Sequence, residues 1–111
     1  MNYSDENYLT NPELRVVIET VTGVNYDDNP SYYMQLSPLH RATSSAPPTI
    51  LCYGNQDPLI PTTQGTAMRD KLVELGVAHQ FTLYPNAGHG WIGLDLLDTT
   101  IKLHAFIEAH L

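Results

Sequence analysis

Apolar residues fall along this chain in two distinguishable rhythms. Leu14, Val17, Ile18 and Val21 recur at i, i+3, i+4 and i+7, the period of one helix face. Asn11-Pro12-Glu13 opens that run with a capping side chain, a proline at the first helical position and an acid in the first turn. Gly23 supplies its stop, so the pattern predicts a helix over 11–23. Asn29-Pro30 repeats the opening signal before a short helical turn, SYYMQ, which Ser37-Pro38 ends. Residues 1–10 read as a loop or tail, and RATSSAPP, 41–48, as a loop. The next run, TILCYG, is apolar throughout, which suits a strand buried on both faces in a parallel sheet. Residues 62–75 return to the helical period, with Met68, Leu72 and Leu75 on one face and Gly76 as cap. HQFTLY, 79–84, alternates Phe81 and Leu83 against Thr82 and predicts a second strand. A last helix is expected over 94–110, packed through Leu97, Ile101, Ala105 and Phe106.

From residue 49 the order is therefore strand, helix, strand, helix. This is a βαβ unit followed by a packing helix, hence an α/β fold with a parallel strand pair and a right-handed crossover, preceded by an N-terminal helical segment. Composition narrows the function classes. The sequence has 111 residues and a formal charge of −7. Its five Lys and Arg residues form no basic stripe, which argues against nucleic acid or an anionic membrane surface as partner. Cys52 is the single cysteine, so no intrachain disulfide forms, and its apolar surroundings make it a core residue. The acidic N-terminus is unlike a signal peptide and no apolar run is long enough to span a bilayer, so the expected location is cytoplasmic or left open, and a lone cysteine leaves the redox compartment open as well.

The chemistry lies in two loops. In a βαβ unit both strands end at the same edge, about 4.8 Å apart, where open α/β sheets bind ligands. GNQDPLIP, after the first strand, carries Asp57. YPNAGHGW, after the second, carries His89 between two glycines, which let the chain turn sharply and keep bulk from the imidazole. The topology thus predicts that Asp57 and His89 meet. A carboxylate on one ring nitrogen fixes the tautomer and leaves the other nitrogen as a general base. The same pair fits a structural salt bridge, and Asp57-Pro58 fits a turn. Trp91 either lines a pocket or packs. With only two candidate ligands, no metal site is expected.

These motifs resemble the C-terminal part of the α/β-hydrolase fold, most closely the feruloyl-esterase-like esterases and lipases related to prolyl oligopeptidase. PPTILCYGNQDPLIP resembles the family's strand ending in glycine, with the triad acid three residues on and a proline after it; Tyr53 stands where the family often has histidine. The helix ending Leu75-Gly76-Val77 resembles the helix before the last strand, and YPNAGHGW resembles the histidine loop. The segment before TILCYG resembles the family's insertion there. The resemblance implies one partial domain, with residues 1–36 a helical, lid-like insertion and 37–111 the βαβα unit. It implies Asp57 as triad acid, His89 as base, no cofactor and no metal, in a carboxylic-ester hydrolase.

The resemblance also places the nucleophile before the acid, in a G-x-S-x-G elbow. Ser4, Ser31, Ser37, Ser44 and Ser45 all lack the flanking glycines, and the oxyanion-hole segments are absent. The chain alone is expected to lack appreciable esterase activity. A two-stranded sheet with open edges is expected to form a homo-oligomer or to pair with the missing N-terminal half. The alternative is a non-catalytic binding or oligomerisation module derived from the same fold.

Overall fold

The residues described in the computed structural model are 11–111; the loop or tail expected over 1–10, Ser4 included, lies outside them. The Asn11 carboxamide oxygen accepts from the amides of Glu13 and Leu14 at 3.1 and 3.3 Å and starts α1 (Pro12–Thr22). Gly23 closes it in the left-handed conformation, φ 70°, its N–H donating to the Glu19 carbonyl. Asn29 caps α2 (Pro30–Leu36) in the same way, through the Tyr32 amide. Ser37 ends α2 as expected, but Pro38 opens a further short helix, α3 (Pro38–Arg41), because proline is as favourable at a helix start as it is obstructive inside one.

The chain divides after Ala42 into two units. The first is organised around Tyr33, which is fully buried, donates its hydroxyl to the Val24 carbonyl at 2.6 Å and meets the rings of Tyr26 and Tyr32 edge-on. Arg15 ties the unit further, bridging Glu19 at 2.9 Å and Asp27 at 2.8 Å.

The second unit carries β1 (Thr49–Gly54), α4 (Thr62–Leu75), β2 (His79–Tyr84) and α5 (Gly93–Ala109). The strands pair in parallel from Thr49 opposite His79 to Gly54 opposite Tyr84. Both strands therefore run out at the same level of the sheet. Side chains alternate between faces. Leu51, Tyr53, Phe81 and Leu83 face α4, where Gly65 lies against the Tyr53 and Phe81 rings so closely that a Cβ there would sit 2.7–2.9 Å from their carbons. Cys52 and Tyr84 face α5. Leu72 of α4 is the most buried apolar side chain of this unit.

Two expectations are corrected here. Strand β1 is not buried on both faces: its residues other than Gly54 are half-buried, Cys52 among them. With one partner strand and one helix per face, the described chain supplies too little cover. The packing side of α5 is also not its apolar one. Leu97, Ile101 and Ala105 are exposed, along with Leu94, Leu96, Leu103 and Ile107. Toward the sheet α5 turns Asp95, Asp98, Thr99, Lys102 and Phe106, because the Tyr84 hydroxyl and the Trp91 indole there require polar partners. Among the described residues no helix is long and apolar enough to cross a membrane.

Candidate active site

The matched strand ends launch the two chemistry-bearing loops side by side, and the backbone stitches them together. The Asn55 amide donates to the Tyr84 carbonyl at 2.9 Å, and the Gln56 amide to the Ala87 carbonyl at 2.8 Å. Gly54 is the point of closest approach. A Cβ on it would fall inside the van der Waals surfaces of the Ala87 and Gly88 carbonyl oxygens. The strand can end against the histidine loop only because that residue has no side chain.

Asp57 follows three residues later. Its Oδ1 accepts from the amides of Leu59 and Ile60 at 2.8 and 2.9 Å, an Asx-type turn that fixes the carboxylate to its own loop. Its Oδ2 lies 2.9 Å from His89 Nδ1. The Asp57 side chain is 6% exposed and the imidazole 59% exposed. Asp57 and His89, the two candidate site residues, are thus brought together. Burial by itself would raise the Asp57 carboxyl. The Ile60 amide, the His89 ring and the Leu59 amide outweigh that, and its pKa settles below the ordinary 3.8. At neutral pH Asp57 is therefore a carboxylate that can only accept, so the His89 nitrogen facing it, Nδ1, carries a proton; in the neutral imidazole this leaves the lone pair on Nε2, directed away from the carboxylate. The turn and the pairing with His89 use different oxygens of one carboxylate.

The sign of this shift gives a pH dependence. A carboxyl with a depressed folded pKa adds stability that is complete above its unfolded value and is lost as pH falls through the folded one. Urea midpoints of the wild-type chain are expected to drop below about pH 4 more steeply than those of Asp57→Asn, whose side chain does not titrate. Parallel curves for the two proteins would contradict the ionised, doubly anchored carboxylate.

The glycines flanking His89 act differently from expectation. Neither Gly88 nor Gly90 adopts a positive φ. A Cβ on Gly90 would meet nothing within 4 Å, and one on Gly88 only the Gln56 carbonyl oxygen at 3.9 Å. The sharp turn falls instead at Gly93, φ 66°, where the loop enters α5. Trp91 packs rather than standing free: its ring lies 5.0 Å from that of Tyr84 and its Nε1 donates to Thr99 Oγ1 at 2.7 Å. Sequence reasoning missed Gly54, Tyr84, Asp98 and Thr99 as parts of the site's frame. The only hint was a tyrosine as the last strand residue and a tryptophan two past the histidine.

Comparison with known proteins finds similarity to esterases and to a hydrolase. Esterase LipC of Mycobacterium tuberculosis (strain ATCC 25618 / H37Rv) is 33% identical over 92 residues, 82% of this chain and 22% of LipC. Esterase LipQ of the same organism is 34% identical over 67 residues, 60% of this chain and 16% of LipQ. The chain thus spans about a fifth of the length of these relatives. A crystal structure of puromycin hydrolase superposes with a TM-score of 0.55 at 28% identity, covering 60% of this chain and 10% of that one. The parallel βαβα unit is part of an α/β-hydrolase fold, and with residues 4–111 matching the sequence pattern of the prolyl oligopeptidase family, the chain belongs to that family.

Proposed function

We propose that the chain is the acid-and-histidine portion of a serine ester hydrolase, with His89 as general base and Asp57 as the group that orients it. The observation that carries this reading is the 2.9 Å contact between a buried, amide-anchored carboxylate and an imidazole left largely open to solvent. The turn bonds engage Oδ1 and leave Oδ2 to hold the ring, with the opposite ring nitrogen open for proton transfer. In the complete enzyme a serine hydroxyl attacks the ester carbonyl carbon as Nε2 takes its proton, and Asp57 stabilises the imidazolium. The imidazolium then gives that proton to the departing alkoxide, leaving an acyl-serine. Water repeats the cycle, releasing the carboxylic acid and restoring the serine.

The serine and the oxyanion hole belong, on this reading, to sequence outside these 111 residues. No serine here stands in G-x-S-x-G, and three of the four within the described residues hold local hydrogen bonds: Ser37 Oγ donates to the Tyr33 carbonyl at 2.7 Å, Ser31 Oγ to Asn29 Oδ1 at 2.9 Å, and Ser45 Oγ pairs with Thr43. The test is twofold. DNA immediately upstream of Met1 should encode G-x-S-x-G, in register or broken by a frameshift. The 111-residue chain should leave p-nitrophenyl acetate unhydrolysed above its buffer blank, and the extended chain should turn it over. Turnover by the short chain that disappears in His89→Ala would overturn this reading.

A second reading, a non-catalytic binding or oligomerisation module, draws on one observation. The outward flank of α5 exposes Leu94, Leu96, Leu97, Ile101, Leu103 and Ile107, more than a helix end-on to solvent ordinarily shows. On the hydrolase reading the same flank and the unpaired strand edges take up the rest of the fold, and in the isolated chain they take up a second copy. Sedimentation equilibrium at tens of micromolar should then show a dimer or larger species. A clean monomer would remove this support for either partner.

A further inference from the structure

The histidine loop has a further attachment, to α5. Tyr84, the last residue of β2 before the loop, is 4% exposed and donates its hydroxyl to Asp98 Oδ2 at 2.9 Å. Lys102 Nζ pairs with the same Oδ2 at 2.7 Å and stands 5.6 Å from the centre of the Tyr84 ring. Burial raises the Tyr84 phenol above its ordinary value; the Thr99 hydroxyl and the Lys102 charge oppose this and the Asp98 carboxylate adds to it, and the balance keeps the hydroxyl a donor. On the far limb of the loop, Trp91 lies against the Tyr84 ring and donates its indole N–H to Thr99 Oγ1 at 2.7 Å. Thr99 in turn donates its single hydroxyl proton to the Asp95 carbonyl at 2.8 Å, so its oxygen is oriented to accept.

We propose that Trp91 and Tyr84, anchored on Thr99 and Asp98 of α5, are positioning residues that brace both limbs of the loop and hold the His89 ring on Asp57. This rests on the reading of His89 as the general base. Its physical content is simple. Among the described residues the exposed His89 ring makes one hydrogen bond, the one to Asp57. A single bond leaves an exposed ring free to swing about it, so its lifetime depends on how firmly the loop ends are held. The brace also accounts for the inverted packing of α5. Asp98 and Thr99 occupy positions that a packing helix would ordinarily give to aliphatic side chains, because two loop-bounding aromatics need acceptors there.

The test reads the ring directly, without catalysis. In uniformly ¹⁵N-labelled 111-residue chain, long-range ¹H–¹⁵N correlation with His89 neutral gives the ratio of its Nδ1–H and Nε2–H tautomers. Wild type should be dominated by Nδ1–H. Thr99→Val, which removes the acceptor and keeps the volume, should lower that ratio about two- to twelve-fold, the range one net hydrogen bond is worth. Trp91→Phe, which keeps a ring and loses the N–H, should do the same and serves if Thr99→Val does not fold. Thr99→Ser should restore the wild-type ratio. Thr100→Val is the matched control, since the Thr100 hydroxyl bonds only the Leu96 carbonyl on the exposed side of α5. An unchanged ratio in Thr99→Val and Trp91→Phe overturns the brace and leaves the active-site reading intact. A wild-type ring lacking the Nδ1–H tautomer overturns both.

Discussion

Replacing His89 by alanine in the extended, serine-bearing protein is expected to lower kcat for an activated ester by about 10⁶-fold, the scale seen when a triad base is removed. Asp57→Asn should cost less, about 10⁴-fold, and for a different reason. An asparagine can still accept the Leu59 and Ile60 amides through its oxygen, so the turn survives. It then presents an NH₂ to His89 Nδ1. Two donors cannot face each other, so the ring turns to the tautomer protonated at Nε2, which can no longer accept from a serine. The double variant should be no slower than His89→Ala alone, because the two groups act as one unit. Steady-state kinetics on the three proteins decide the matter. A His89→Ala enzyme within tenfold of wild type would remove the histidine from the mechanism.

Gly54→Ala carries the largest expected cost in stability. A methyl there meets the Ala87 and Gly88 carbonyl oxygens, which belong to backbone and cannot rotate away as a side chain would. Overpacking of this kind typically costs 1–3 kcal/mol, and the absence of any yielding neighbour puts Gly54→Ala at about 3 kcal/mol, the top of that range. The displacement would also part the amides of Asn55 and Gln56 from the histidine loop. Gly90→Ala offers the contrast, with open space around its new methyl and an expected change within about 0.5 kcal/mol. Urea titrations of both variants should separate them by at least a factor of three in ΔΔG; equal effects would show that the loops can slide apart without penalty.

Much of the fold is legible in the sequence because its signals are local. TILCYG and HQFTLY form strands over the predicted residues, and the helix over 62–75 begins and ends as read, closed by Gly76 at φ 68°. The meeting of Asp57 and His89 was legible from topology, since a parallel pair in register must deliver its following loops to one edge. What stayed hidden depends on pairwise fit. Periodicity marks a stripe of apolar residues on α5 and carries the assumption that such a stripe packs inward. It has no means of registering that Tyr84 and Trp91 want acceptors on that side. The glycine demand was misplaced for a similar reason. Gly88 and Gly90 draw attention by flanking the histidine, whereas the constraint falls on Gly54, 34 positions before Gly88, and is created only when the two loops touch. The half-exposure of β1 reflects neighbours that the described chain does not provide.

The backbone stitches between the loops turn the candidate site into its own timekeeper. The amides of Asn55 and Gln56 are bonded to the Tyr84 and Ala87 carbonyls, and for either to exchange its hydrogen with water the two loops must first part. Each exchange event is therefore a record of the acid arm and the histidine arm coming apart, countable amide by amide without substrate or product. A protein that must keep two distant segments of chain in partnership has, in these two N–H groups, a built-in measure of how long the partnership lasts.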